Sequence, residues 1–105
     1  MKYLKFDVEG SSQVAVKKNI FFNIASARAN GYEFVILNFK SDNLEKTRKF
    51  AAKILKVMNA DGRVKLFILA SSFDGANKEE LYFRNKYPEM RALCEENSEA
   101  IIVKI

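Results

Sequence analysis

Residues 32–39, Tyr-Glu-Phe-Val-Ile-Leu-Asn-Phe, decide the fold of this chain. Apolar side chains fill both alternating sets of positions, at Phe34 and Ile36 on one side and at Val35 and Leu37 on the other. A strand of this kind is typical of the interior of a sheet, where both faces are covered. The segment therefore predicts a central strand.

Three further segments predict strands, at residues 3–10, 64–70 and 100–105. The first alternates with the period-two pattern of a half-buried strand, since it has Leu4, Phe6 and Val8 on one side. Its other side carries Lys5, Asp7 and Glu9, which predicts that part of the sheet is open to solvent.

Helical patterns separate these strands. Ser11 or Ser12 can cap a first helix that ends at Asn30-Gly31, and its apolar stripe is Val16, Ile20, Ile24 and Ala27. The segment Ser41-Asp42-Asn43 can cap a second helix that ends near Asp61-Gly62, with the stripe Thr47, Phe50, Ala51, Ile54, Leu55 and Met58. A third helix begins near Asn77, and Pro88 divides it from a short helical turn at residues 90–95.

The resulting order of elements is β-α-β-α-β-α-β, with connections long enough for crossover helices. We predict an α/β fold, a two-layer sandwich with a four-stranded mixed sheet. A chain of 105 residues fits one domain, which we place at residues 1–105.

Composition excludes several classes of function. The chain has no histidine and one cysteine, Cys94, so a Ser-His-Asp triad, a Cys-His pair and an ordinary zinc site are not expected. No apolar run approaches the roughly 20 residues of a membrane span. We expect a cytoplasmic protein without membrane association, cofactor, metal or catalytic residue.

The net charge of +5 is concentrated in one region. Residues 40–65 hold eight basic and three acidic side chains, and the rest of the chain is balanced. On the second helix, lysines recur at spacings of three, four and three, which places them on one stripe opposite the apolar face. Such a stripe suits a phosphate backbone, although it could simply solvate an exposed helix. The predicted nucleic-acid-binding residues are Lys40, Lys46, Arg48, Lys49, Lys53, Lys56 and Arg63.

Two other groups of side chains allow alternative chemistry. Asp7 and Glu9 project from one side of a strand and could hold a divalent cation, although such ions usually need more ligands. The aromatic residues could stack on bases, the candidates being Tyr3, Tyr32, Phe39 and Tyr82. Nine phenylalanines in so short a chain are more simply explained as core.

Nearly the whole chain resembles the Smr domain, the small MutS-related domain of bacterial and eukaryotic nucleases. The strand end Phe6-Asp7-Val8-Glu9-Gly10 is similar to the family's Leu-Asp-x-His-Gly. The segment at residues 85–91, Asn-Lys-Tyr-Pro-Glu-Met-Arg, and the ending at residues 101–105, Ile-Ile-Val-Lys-Ile, are similar to the Tyr-Pro-Glu-Leu-Arg and Ile-Thr-Ile-Val endings of some bacterial members. The resemblance implies a fold similar to the C-terminal domain of bacterial translation initiation factor three.

The departures from that family fall on its activity motifs. Glu9 replaces the histidine of the first motif, and Leu-Asn-Phe-Lys-Ser at residues 37–41 replaces the second, His-Gly-x-Gly. Phe39 cannot give the close backbone approach to phosphate that glycine allows.

The hypothesis from sequence is therefore a non-catalytic Smr-like domain that binds nucleic acid, RNA in preference to DNA, through a basic helix. The alternative is a protein-interaction module or homo-oligomer that uses the open sheet face or an edge strand. Metal-dependent hydrolysis through Asp7 and Glu9 is a third possibility.

Overall fold

A computed structural model describes residues 2–10, 12–39 and 44–105. Four strands, β1 to β4, and four helices, α1 to α4, follow one another along the chain. Their bounds are β1 Tyr3–Val8, α1 Gln13–Ala29, β2 Phe34–Phe39, α2 Leu44–Ala60, β3 Leu66–Leu69, α3 Lys78–Lys86, α4 Met90–Glu96 and β4 Ile101–Lys104. A short 3-10 turn at Ala70–Ser72 follows β3.

The strands form one mixed sheet in the order β1-β2-β4-β3. β1 is parallel to β2, and β4 is antiparallel to both β2 and β3. The predicted α/β class and four-stranded mixed sheet are confirmed, and β2 lies in the interior as expected. β4 is the second interior strand, which agrees with its burial at Ile101, Ile102 and Val103.

Helices α1 and α3 begin where the sequence provides caps, and the cap predicted for α2 at residues 41–43 lies outside the described residues. The Ser12 hydroxyl oxygen accepts a hydrogen bond from the Ala15 N–H at 3.2 Å, and Gly31, with φ of 74°, follows the end of α1. The side chain of Asn77 accepts from the Glu80 N–H at 2.8 Å and starts α3. These contacts satisfy backbone groups that have no partner within a helix.

The alternation of β2 divides the core between the two faces of the sheet. Val35 and Leu37 pack under α1 and α2, together with the buried stripes predicted for these two helices. Phe34 and Ile36 face the other way, toward Phe83 of α3 and the residues of α4. The sheet and the α1–α2 layer form the expected sandwich, and the shorter α3 and α4 pack on the second face.

The second face is covered unevenly. On β1, the side chain of Lys5 is exposed and Tyr3 retains 38% of its accessible surface. This part of the sheet is open to solvent, as the polar side of β1 predicts. Within residues 2–10, 12–39 and 44–105, no helix has the length and apolar character needed to cross a membrane.

Candidate nucleic-acid interface

The lysines of α2 lie on the solvent side of that helix. Its buried positions are Thr47, Ala51, Ile54, Leu55 and Met58, which fix the opposite side toward the sheet. All four lysines of the predicted stripe are exposed, namely Lys46, Lys49, Lys53 and Lys56. The one acidic residue of α2, Glu45, reaches Lys49 at 3.5 Å in an exposed pair of the kind that contributes little to stability.

Helix α1 extends this surface, because it packs beside α2 on the same face of the sheet. It presents Lys17 and Lys18 to solvent and contains no acidic residue. We call the six exposed lysines of the two helices the basic helical face: Lys17, Lys18, Lys46, Lys49, Lys53 and Lys56. Lys17 and Lys18 were not among the predicted binding residues, although both lie off the buried stripe Val16, Ile20, Ile24 and Ala27.

The opposite side of the molecule differs in charge. Residues 74–99, which include α3 and α4, hold seven acidic and four basic side chains. Two of these charges pair at the surface, since Arg91 donates to the Asp74 carboxylate at 2.6 Å. Cations are therefore concentrated on the α1–α2 side, so an anion approaching the protein meets favourable potential there.

Two of the predicted binding residues already have protein partners. Arg48 donates to the Glu99 carboxylate at 2.5 Å, and its side chain is only 28% exposed. Arg63 donates through Nε to Asp61 at 2.8 Å, and these hydrogen bonds hold the pKa of Asp61 below its ordinary value. Lys40, the seventh predicted residue, lies outside the described residues. The lysines are therefore the cations most available to a ligand.

A cleft of about 430 Å³ opens between α1 and the end of α2. The guanidinium of Arg63 lies over the Phe21 ring, with 4.5 Å from Cζ to the ring centroid. Arg28 donates a hydrogen bond to the Arg63 carbonyl oxygen, and both arginines line the cleft. The cleft adjoins the basic helical face and has an apolar floor at Ile24 and Met58.

Asp7 lies near the end of β1, Glu9 follows that strand, and Phe39 is the last residue of β2. Phe39 is only 9% exposed and packs in the core under α1 and α2. Asp7 is half-buried and Glu9 is exposed. No group of three or more acidic or cysteine residues that could hold a metal ion occurs in the part of the chain that the structure describes.

Most phenylalanines are buried or partly buried, as predicted, but Phe22 is not. It lies near the middle of α1 and is 73% exposed. The signal was present in the sequence, since Phe22 is two residues from both Ile20 and Ile24, or about 160° away from each around a helix. Of the earlier stacking candidates, Tyr3 is 38% exposed and Phe39 is buried.

Cys94 lies on the buried side of α4 and is 4% exposed. Burial raises the pKa of its thiol to about 11, although nearby Arg91 acts in the opposite direction. A thiol in this state is protonated near neutral pH and is a poor nucleophile. These properties fit a packing role for Cys94 in the core.

Comparison of the chain with protein-family models, curated proteins and solved structures finds no match. The fold and the distribution of charge are therefore the basis for a functional argument.

Proposed function

We propose that this chain is a non-catalytic nucleic-acid-binding domain that contacts the phosphate backbone through the basic helical face. The observation that carries the proposal is the exposure of six lysines on two adjacent helices that together contain a single carboxylate, Glu45. Lysine ammonium groups neutralise phosphates and release counterions without requiring exact geometry.

The arrangement favours a polyanion over a small anion. The lysines of α2 span residues 46–56, and a helix rises 1.5 Å per residue, so the stripe is about 15 Å long. Phosphates repeat at intervals of several ångströms along a strand, so a stripe of this length can meet several of them at once.

The preference for RNA over DNA, and the idea that nuclease activity has been lost, rest on the resemblance to the Smr domain. In that resemblance, Glu9 and Phe39 stand where the family has its motif residues. The proposal of phosphate binding does not depend on that resemblance, because it follows from the charges alone.

The test is a titration of labelled single- and double-stranded RNA and DNA with the protein at 50 and 200 mM salt. If four lysines each neutralise one phosphate of a single strand, the fourfold rise in salt should weaken binding by about 50-fold. A variant in which four α2 lysines are changed to glutamate should lose binding at both salt concentrations: Lys46→Glu, Lys49→Glu, Lys53→Glu and Lys56→Glu.

A matched control makes the same change of net charge on other surfaces. It combines four exposed lysines outside α1 and α2: Lys5→Glu, Lys65→Glu, Lys78→Glu and Lys86→Glu. Loss of binding in the first variant but not in the second would locate the interface on α2. Equal loss in both would mean that net charge alone drives binding, and absence of binding at 50 mM salt would refute the proposal.

The alternative function, a protein-interaction module or homo-oligomer, is favoured by the free edge of β3. The Ala70 N–H donates to the Ala100 carbonyl at 2.9 Å, and the alternation of an antiparallel ladder then turns the backbone groups of Phe67 and Leu69 outward. A partner strand could pair with this edge. Analytical ultracentrifugation tests this alternative. Self-association that does not change with salt, in a protein that binds no oligonucleotide in the titration, would support it.

A further inference from the structure

The side chain of Phe22 is the largest exposed apolar group on α1. It is 73% exposed, whereas its neighbour Phe21 is partly buried beneath two cations. Lys17 Nζ lies 5.4 Å and Arg63 Cζ 4.5 Å from the centroid of the Phe21 ring. Phe21 therefore packs between α1 and the end of α2. Phe22, in contrast, buries little of its surface against the rest of the protein.

One cationic side chain lies close to Phe22 on α1. Lys18 lies one helical turn before it and is exposed on the same side of α1. The lysine stripe of α2 lies on the neighbouring helix of the same layer, and α1 carries no carboxylate. The surface thus combines a projecting aromatic ring with several ammonium groups.

This combination matches a ligand that offers anionic groups and flat apolar faces at short intervals. A nucleic-acid strand with unpaired bases has both, and base stacking on aromatic side chains is the usual mode of binding to such strands. A regular duplex offers the phosphates, but its base faces are stacked on one another inside the helix. The centre of a protein–protein interface, in contrast, is depleted in lysine.

We propose that Phe22 stacks on an unpaired base, so that the basic helical face prefers single-stranded over double-stranded nucleic acid. This inference rests on the proposed function and names the class of substrate for the same surface. The lysines supply affinity that depends on salt, and Phe22 supplies the discrimination between strand states.

The experiment measures fluorescence anisotropy with a labelled 12-nucleotide oligouridylate and with a 12-base-pair RNA duplex at 50 mM salt. Phe22→Ala and Phe22→Leu should each weaken binding of the single strand by about tenfold, because both remove the aromatic face. Duplex binding should change less than twofold. Phe22→Tyr retains the ring and should bind as the wild type does.

Val14→Ala is the matched control, because Val14 is 64% exposed two turns earlier on α1 and is not aromatic. It should leave both affinities unchanged. Full single-strand affinity in Phe22→Leu, or equal losses on the single strand and the duplex, would overturn the inference.

Two further outcomes separate this inference from others. If the glutamate variant of α2 loses binding while Phe22→Leu retains it, phosphate binding stands and the stacking role is wrong. If the wild type binds neither probe, the proposed function and this inference fail together. Loss of self-association in Phe22→Ala, or loss of binding to vesicles that contain phosphatidylserine, without a change in single-strand affinity, would assign Phe22 to a protein or membrane contact instead.

Discussion

Replacing Phe83 with alanine should destabilise the protein by about 4 kcal/mol. Phe83 has no exposed surface, and it is the one buried apolar side chain of α3, all of whose residues are described. Its ring lies 6.0 Å from that of Phe34, which is itself fully buried on the central strand. Truncation would leave a cavity and remove the main apolar contact between α3 and the sheet.

The same substitution at Phe22 provides the control. Phe22 is 73% exposed, so Phe22→Ala should change the free energy of unfolding by less than about 0.5 kcal/mol. The assay is urea unfolding followed by far-ultraviolet circular dichroism. With an m-value of about 2 kcal/mol per molar urea, Phe83→Ala should lower the midpoint by about 2 M.

Two results would refute this reasoning. A loss of less than about 1 kcal/mol in Phe83→Ala would mean that α3 does not depend on this contact. A loss of more than about 1 kcal/mol in Phe22→Ala would mean that Phe22 is not a surface residue, and the stacking inference would lose its premise.

Two further predictions concern Cys94 and Gly75. Because burial raises the pKa of Cys94 from 9.0 to about 11, its contribution to stability is fully present below pH 9 and is lost as the pH rises toward 11. Relative to Cys94→Ala, the wild type should lose about 2 kcal/mol between pH 8 and pH 11 in urea unfolding, and parallel pH profiles would contradict this. Gly75→Ala should cost about 1 kcal/mol or less, because the Cβ would overlap only the carboxylate end of the flexible Glu80 side chain, which can shift. The double variant Gly75→Ala/Glu80→Ala should be less destabilised than the sum of the two single variants, and strict additivity would refute the overlap.

Much of the architecture could be predicted because it depends on local patterns. The alternation at Leu4, Phe6 and Val8 identified β1, and apolar residues on both sides of β2 identified an interior strand. The structure shortens all four predicted strands because strand ends depend on pairing as well as on composition. The observed strands are Tyr3–Val8, Phe34–Phe39, Leu66–Leu69 and Ile101–Lys104.

The candidate site was predicted in part. The spacing of the α2 lysines fixed their common face, since helical periodicity depends only on position in the chain. The engagement of Arg48 with Glu99, 51 residues away, could not be read from spacing. The exposure of Phe22 was not predicted, for a different reason. The number of phenylalanines suggested that they form the core, whereas the apolar stripe of α1 already places Phe22 on the solvent side of that helix.

The sequence by itself determined the α/β class, the central position of β2 and the positive stripe of α2, because periodicity and local charge are properties of neighbouring residues. Only the tertiary structure decided that β4 inserts between β2 and β3, that α1 continues the basic surface of α2, and that Arg48 is paired with Glu99 while the lysines remain exposed. These features depend on contacts between residues far apart in the chain, and such contacts are set when the sheet and helices pack together to bury their apolar faces.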